Sequence, residues 1–272
     1  MFNYRTKPHL DLELLHRAPA GKAKPHPILF IHGAYSAAWC WETFYLPYFA
    51  SHGYDCYALS LRGHGGSEGH EYLALTSIDD YLADIRQITQ DLPTPPILVG
   101  HSMGGMLAQL YLHKYSAAAL VLMASVPPEG LLGATMQLAF REPQAFFELN
   151  LIHASDGRLS TIASIRRQLF SDSMPEQQAV RYLARFQPES HRAILDLSFL
   201  PFRTTDKPVN LPVLVIGAEQ DGLFPPYLVH ATASRYGVHA EIFPNMAHVM
   251  MLEPNWEEPA KRILNWLSEQ AL

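Results

Sequence analysis

Short runs of almost unbroken apolar character recur along the chain. They are Pro27–His32 (PILFIH), Tyr54–Leu61 (YDCYALSL), Pro96–His101 (PILVGH), Ala119–Ala124 (ALVLMA) and Pro212–Gly217 (PVLVIG), with His239–Pro244 (HAEIFP) following later. Val, Ile, Leu and Tyr dominate them and Pro or Gly bounds them, which predicts strands. A strand with one wet face would alternate apolar and polar residues. These barely alternate, so both faces are expected to be covered, as in a parallel sheet. His9–His16 reads as an antiparallel strand at the start.

Between the strands the period changes. Ile78, Tyr81, Leu82, Ile85, Ile88 and Leu92 fall on one helical face. Thr76 and Ser77 precede it, with Asp79 and Asp80 three residues after each, as a capping signal requires. From Pro254 to about Leu272, Trp256, Ala260, Ile263, Leu264 and Leu267 again keep helical spacing. Strand and helix alternate, so the fold class is α/β.

One region breaks the rhythm. From about Pro128 to Lys207 the patterns are helical throughout: Leu131–Phe140, Pro143–Ile152, Ser160–Leu169, Pro175–Phe186 and Pro188–Leu197. That is too long for a simple crossover between strands. It predicts a core of residues 1–127 and 208–272 with a helical cap inserted at 128–207.

Composition narrows the function. Hydrophobic residues make up 48% and charged residues 17% of the 272, enough for a large core. The net charge of -6, without a Lys/Arg run, argues against a nucleic-acid partner. No window has the apolar length of a membrane span, so no stable membrane insertion is expected. The beginning, MFNYRTKPHLDLELLHRAP, does not read as a secretory signal. A cytoplasmic protein is the expectation, with the oligomeric state left open. Cys40 and Cys56 make no disulfide framework. No His, Cys or carboxylate spacing suggests a metal site.

The chemistry centres on Gly100-His101-Ser102-Met103-Gly104, set between the strand Pro96–His101 and an apolar helical stretch. Ligands of a parallel sheet bind beyond the carboxyl ends of its strands, and Ser102 stands at such an end. Glycines at 100 and 104 permit a tight strand-turn-helix that holds the hydroxyl clear of the backbone. A serine hydroxyl needs a base, and the base needs an orienting acid. Asp221 follows the strand Pro212–Gly217, and His248 follows the strand ending at Pro244, giving the chain order Ser, Asp, His. Glu219 is the rival acid; Asp221 is preferred because it lies beyond the strand end and before Gly222. Oxyanion donors are expected at Met103 N–H, just after the serine, and at Ala34 N–H in the loop His32–Ser36, with Gly33 or Tyr35 as alternatives.

At these residues the chain resembles the α/β-hydrolase superfamily. The matching pieces are FIHGAYSAAWCW, LRGHGGSEG, VGHSMGG, VLVIGAEQDGLFPP and FPNMAHVMMLEP, in order from about residue 27 onward. The resemblance implies a mostly parallel eight-stranded sheet with a cap after the sixth strand. GHSMGG with RGHGGSEG looks most like esterase, lysophospholipase and monoglyceride-lipase-like members. The loop HGAYSAAWCW is also similar to methyl-ester and hydroxynitrile-processing relatives. The chain departs from the pattern in carrying Ser60 where many members have Asp, and Ala247 where many have Gly. In such a family the Arg62–His64 loop mainly braces the site.

The expectation is therefore a serine hydrolase needing no cofactor and no metal, cleaving a small-molecule carboxylic ester with an apolar portion. Tyr35, Phe140 and Phe147 are candidates for contacting that portion. Ser102, Asp221 and His248 would equally suit carbon–carbon bond hydrolysis or perhydrolysis, and the fold suits a slow or non-catalytic receptor.

Overall fold

The computed structural model describes residues 9–141, 162–198 and 210–272. Seven strands form one sheet in the order β1-β3-β2-β4-β5-β6-β7. They are β1 (Leu14–Arg17), β2 (Ile28–Ile31), β3 (Cys56–Leu59), β4 (Ile97–His101), β5 (Ala119–Met123), β6 (Val213–Ala218) and β7 (Ala240–Phe243). Only β1 runs antiparallel, with Leu14 opposite Leu59. The other pairings are parallel.

Why these runs form inner strands follows from what covers them. Alternate residues of β2 point to opposite faces, and both sets are buried. Ile28 and Phe30 join one apolar cluster with the helices Trp39–Glu42 (α1), Tyr45–Ser51 (α2) and Glu257–Glu269 (α10). Leu29 and Ile31 join the other, with the helices Ile78–Thr89 (α3), Met103–Tyr111 (α4) and Pro226–Arg235 (α9). Helix α3 starts with a capping box: Asp80 N–H donates to the Ser77 hydroxyl, and the Asp80 carboxylate accepts from Ser77 N–H. No helix among the described residues is long and apolar enough to cross a membrane.

The sheet has seven strands among the described residues, where the resemblance implied eight. The helical block accordingly follows the fifth strand in chain order, not the sixth. Among the described residues one antiparallel strand, β1, precedes β2. The stretch joining them carries Pro19, Gly21, Pro25 and Pro27, and residues without an N–H cannot keep a sheet ladder paired.

Between β5 and β6 the described residues are helical: Gly130–Arg141 (α5), Ile162–Leu169 (α6), Glu176–Leu183 (α7) and His191–Ser198 (α8). These match four of the five expected patterns. The fifth, Pro143–Ile152, lies outside the described residues, as does Phe147. The block is stitched to the core by backbone bonds. Gly222 N–H donates to Gln168 O at 3.3 Å, and Val249 N–H donates to Leu169 O at 3.1 Å. The end of α6 thus sits on the two loops that follow β6 and β7. Gly222 permits the approach, since a Cβ there would stand 2.8 Å from Gln168 Cα.

Candidate active site

Because β2, β4, β6 and β7 run parallel, their carboxyl ends share one edge, and Ser102, Asp221, His248 and the loop after β2 with Ala34 and Tyr35 lie there. Ser102 follows β4 directly with φ 53 and ψ -118. A positive φ in a residue carrying a Cβ is strained, and it marks a sharp strand-to-helix turn. The flanking glycines are sterically required. A Cβ on Gly100 would lie 2.4 Å from Gly104 O, and one on Gly104 2.3 Å from Ile31 O. These clashes involve backbone, so no rotamer change relieves them. The turn is tied down by Ser102 N–H to Met123 O at 3.1 Å and by Val126 N–H to Ser102 O at 3.1 Å.

Asp221 and His248 are brought together. His248 Nδ1 lies 2.9 Å from Asp221 Oδ2, and both residues are buried. The other carboxylate oxygen, Oδ1, accepts from Leu223 N–H at 2.8 Å and Phe224 N–H at 2.9 Å. Asp221 is therefore held by three donors, and the bond at Nδ1 leaves His248 Nε2 as the proton-accepting nitrogen. Glu219 is placed elsewhere: it is exposed, and its carboxylate accepts from Asn245 N–H at 3.1 Å.

Two further histidines frame the site. His101 Nε2 donates to the backbone carbonyl of His248 at 2.9 Å, tying the serine turn to the histidine loop. Burial, reinforced by neighbouring His248, holds His101 well below the usual imidazole range, so it is neutral. His32 is lowered to about 3, first by burial and then by His64. Its Nε2 accepts from Leu61 N–H at 3.0 Å, so the proton sits on Nδ1, which donates to Gly33 O at 2.8 Å. Gly33 in turn presses on the serine turn, where a Cβ on it would stand 2.9 Å from Ser102 Cβ. Among the described residues no hydrogen bond engages the N–H of Ala34 or of Met103.

A cavity of about 750 Å³ opens on Ser102 and His248. Its walls are mostly apolar: Leu131, Ile165, Leu169, Val180, Leu183 and Leu197 from the helical block, with Leu223, Phe224, Val249 and Met251 from the core. Tyr35, Ala34 and Met103 also line it. Phe140 does not, and this corrects the expectation for it. It is 85% exposed. It follows Leu131, a lining residue, by about two and a half helical turns, which turns its side chain to the opposite face.

Arg62 and His64 are both buried. Arg62 pairs with buried Asp84 through Nε at 2.9 Å, and its own N–H donates to Asp84 Oδ2 at 2.9 Å. Ser60, the departure from the family pattern, is anchored by its hydroxyl to the Glu13 carboxylate and accepts from Ala38 N–H at 2.9 Å. No group of three or more His, Cys, Asp or Glu among the described residues could hold a metal ion.

Glu189, which sequence reasoning missed, belongs to the helical block, in the stretch between α7 and α8, and its side chain is fully buried. Its Oε1 accepts from Tyr81 OH at 2.5 Å and Ser190 N–H at 2.6 Å, and its Oε2 stands 3.2 Å from His64 Nε2. His64 Nδ1 donates to Arg62 O at 3.0 Å, so an attractive pair with Glu189 requires protons on both ring nitrogens. Burial pulls His64 down, but Glu189 beside it, together with the Arg62 carbonyl and Asp84, outweighs this and holds it above its ordinary 6.5. Burial pushes Glu189 up, and His64 with the hydroxyl and amide donors outweighs that, holding it below 4.5. The sign follows. The histidine's contribution to stability is complete below pH 6.5 and is lost as pH rises through its raised value. The carboxylate's is complete above pH 4.5 and is lost as pH falls through its lowered value. Melting temperatures of wild type and Glu189→Gln should therefore differ most between pH 4.5 and 6.5, and the gap should narrow on the alkaline side. A gap that widens with rising pH would contradict the ion pair.

Comparison with known proteins agrees with this architecture. The model of the "Alpha/beta hydrolase family" matches residues 28–262. The chain is 27% identical over 239 residues to the "Putative non-heme bromoperoxidase BpoC" of Mycobacterium tuberculosis, covering 84% of this chain and 88% of that protein. The crystal structure of that protein superposes with a TM-score of 0.74 at 22% identity, over 95% of this chain and 96% of the other. The monoacylglycerol lipase of Mycolicibacterium smegmatis is 24% identical over 250 residues, covering 80% of each.

Proposed function

The chain belongs to the alpha/beta hydrolase family, and from that premise we propose that it is a serine hydrolase cleaving carboxylic esters with an apolar portion. The observation that carries this is Ser102 at positive φ, opening with the Asp221-held His248 onto one apolar cavity. His248 Nε2 takes the Ser102 proton as Oγ attacks the ester carbonyl. Asp221 stabilises the imidazolium that forms and keeps its Nδ1–H directed at Oδ2. The oxyanion is received by the N–H groups of Ala34 and Met103. Collapse of the intermediate expels the alcohol, which His248 protonates, and leaves Ser102 acylated. Water, deprotonated by His248, then releases the acid and restores the serine. In this reading no residue needs a cofactor.

The choice of Ala34 over its neighbours has a physical basis. In a trans peptide C=O and N–H point opposite ways. Gly33 C=O is engaged by His32 Nδ1–H and, at 3.4 Å, by Ser36 N–H, so the Ala34 N–H of the same peptide faces away from both. Tyr35 N–H is already spent on Glu189 Oε2 at 3.3 Å.

Residues 128–207, read as a cap, supply most of the apolar wall and so choose the substrate. The test is a panel of p-nitrophenyl esters of rising acyl length. Burying each methylene contributes about 0.8 kcal/mol, so kcat/KM should rise about fourfold per carbon until the cavity is full. A cap variant such as Leu183→Trp should move the optimum to shorter chains. A panel flat in chain length, unchanged by that variant, would reject both the apolar substrate and the cap's role. The resemblance to a bromoperoxidase favours a second reading, in which hydrogen peroxide replaces water and a peracid leaves. Peracid formation from the best ester and peroxide measures it.

A further inference from the structure

We propose that Gln187 and Glu189, from the block otherwise read as a substrate cap, act as positioning residues that set the oxyanion loop. This rests on the reading of Ser102 as nucleophile and of Ala34 as donor. The loop is an unfavourable conformation for its residues. Tyr35 has φ 64, and a bulky side chain at positive φ is strained, so the backbone there would relax unless held. It is held on both sides. Tyr35 N–H donates to Glu189 Oε2 at 3.3 Å, and Tyr35 C=O accepts from Gln187 N–H at 2.9 Å. The peptide groups before and after Tyr35 are thus both tied to residues of the helical block. The preceding one, which carries Ala34 N–H, is tied to His32. With three consecutive peptide planes fixed, the direction of Ala34 N–H is fixed.

The clamp is itself rigid. Gln187 Nε2 donates to Gly63 O at 2.9 Å and its Oε1 accepts from Gly65 N–H at 2.9 Å, locking it to the loop that carries His64. Glu189 faces donors at both oxygens, Tyr81 OH and Ser190 N–H at Oε1 and Tyr35 N–H at Oε2, and His64 Nε2 stands 3.2 Å from Oε2 as a charge partner. Only a carboxylate can accept at both ends. An amide of the same shape must turn its NH₂ toward one pair, donor against donor. Closing the helical block onto the core therefore does more than shape the cavity: it completes the site that receives the oxyanion.

Glu189→Gln is the test, since it keeps volume while it removes the charge and one accepting oxygen and puts an NH₂ donor in its place. Below its own Tm it should lower kcat for the best p-nitrophenyl ester by about tenfold, with KM within about twofold of wild type, as loss of a transition-state interaction requires. Ser102 labelling by a fluorophosphonate, whose phosphoryl oxygen occupies the same donors, should slow by the same factor. Tyr81→Phe, which frees one end of the carboxylate and fills the same space, should shift kcat and labelling together in the same direction by about threefold. It carries the test if Glu189→Gln does not fold. If the folded variants keep kcat and labelling rate within about twofold and only Tm falls, Glu189 is structural and the proposal is overturned. A wild type that is never labelled at Ser102 would overturn the underlying serine reading instead, and the clamp with it.

Discussion

Ser102→Ala is expected to lower kcat/KM for p-nitrophenyl esters by roughly 10⁴-fold or more. The size follows from the division of labour. Alanine leaves Asp221, His248 and the backbone donors in place, so substrate binding and oxyanion stabilisation persist. What is lost is the covalent route, in which one difficult displacement becomes two easier ones. The folded state should be little affected, since the bonds that hold the turn among the described residues come from Ser102 N–H and C=O, which alanine keeps. Relief of crowding at φ 53 is not expected either, because alanine keeps the Cβ. A variant with near-normal turnover would mean that the nucleophile is another group.

Asp221→Asn should cut the rate by roughly 10³- to 10⁴-fold with folding nearly intact, whereas Glu219→Gln should stay within about twofold of wild type. The carboxylate of Asp221 accepts from Leu223 and Phe224 N–H on Oδ1 and from His248 on Oδ2. In the amide, the oxygen is drawn to the two backbone donors, and the NH₂ then faces Nδ1. His248 must present a lone pair there and carry its proton on Nε2, which can no longer take one from Ser102. Glu219 does nothing of the kind, since its carboxylate rests on Asn245 N–H at the surface. Reversed effects in the two variants would assign the orienting role to Glu219.

What the sequence made legible was local or periodic. The inner strands could be read from unbroken apolarity because helices cover both sheet faces, as Ile28 and Leu29, buried on opposite sides, illustrate. The turn at Ser102 was legible because its glycines answer a steric demand of the local backbone. The preference for Asp221 over Glu219 came from their distance past the strand end, and the structure places Asp221, not Glu219, against His248. Long-range partners left no such trace. Glu189 meets Tyr35 across 154 residues and Tyr81 across 108, and nothing in the local pattern around Pro188 marks a carboxylate that will be buried. Ser60 was visible as a departure, but its replacement anchor, Glu13, depends on β1 lying antiparallel beside β3. Phe140 was chosen by residue type in a helical pattern; type alone does not say which helix face meets the cavity.

The central claim is that Ser102 is the activated nucleophile of an acyl-transferring site. The most direct measurement is intact mass of the protein after reaction with a fluorophosphonate, followed by mapping of the modified peptide. A single adduct on Ser102, absent from Ser102→Ala and slowed in Asp221→Asn, is the result this account predicts. A protein that stays unmodified, or one labelled at a different serine with Ser102 intact, would contradict it.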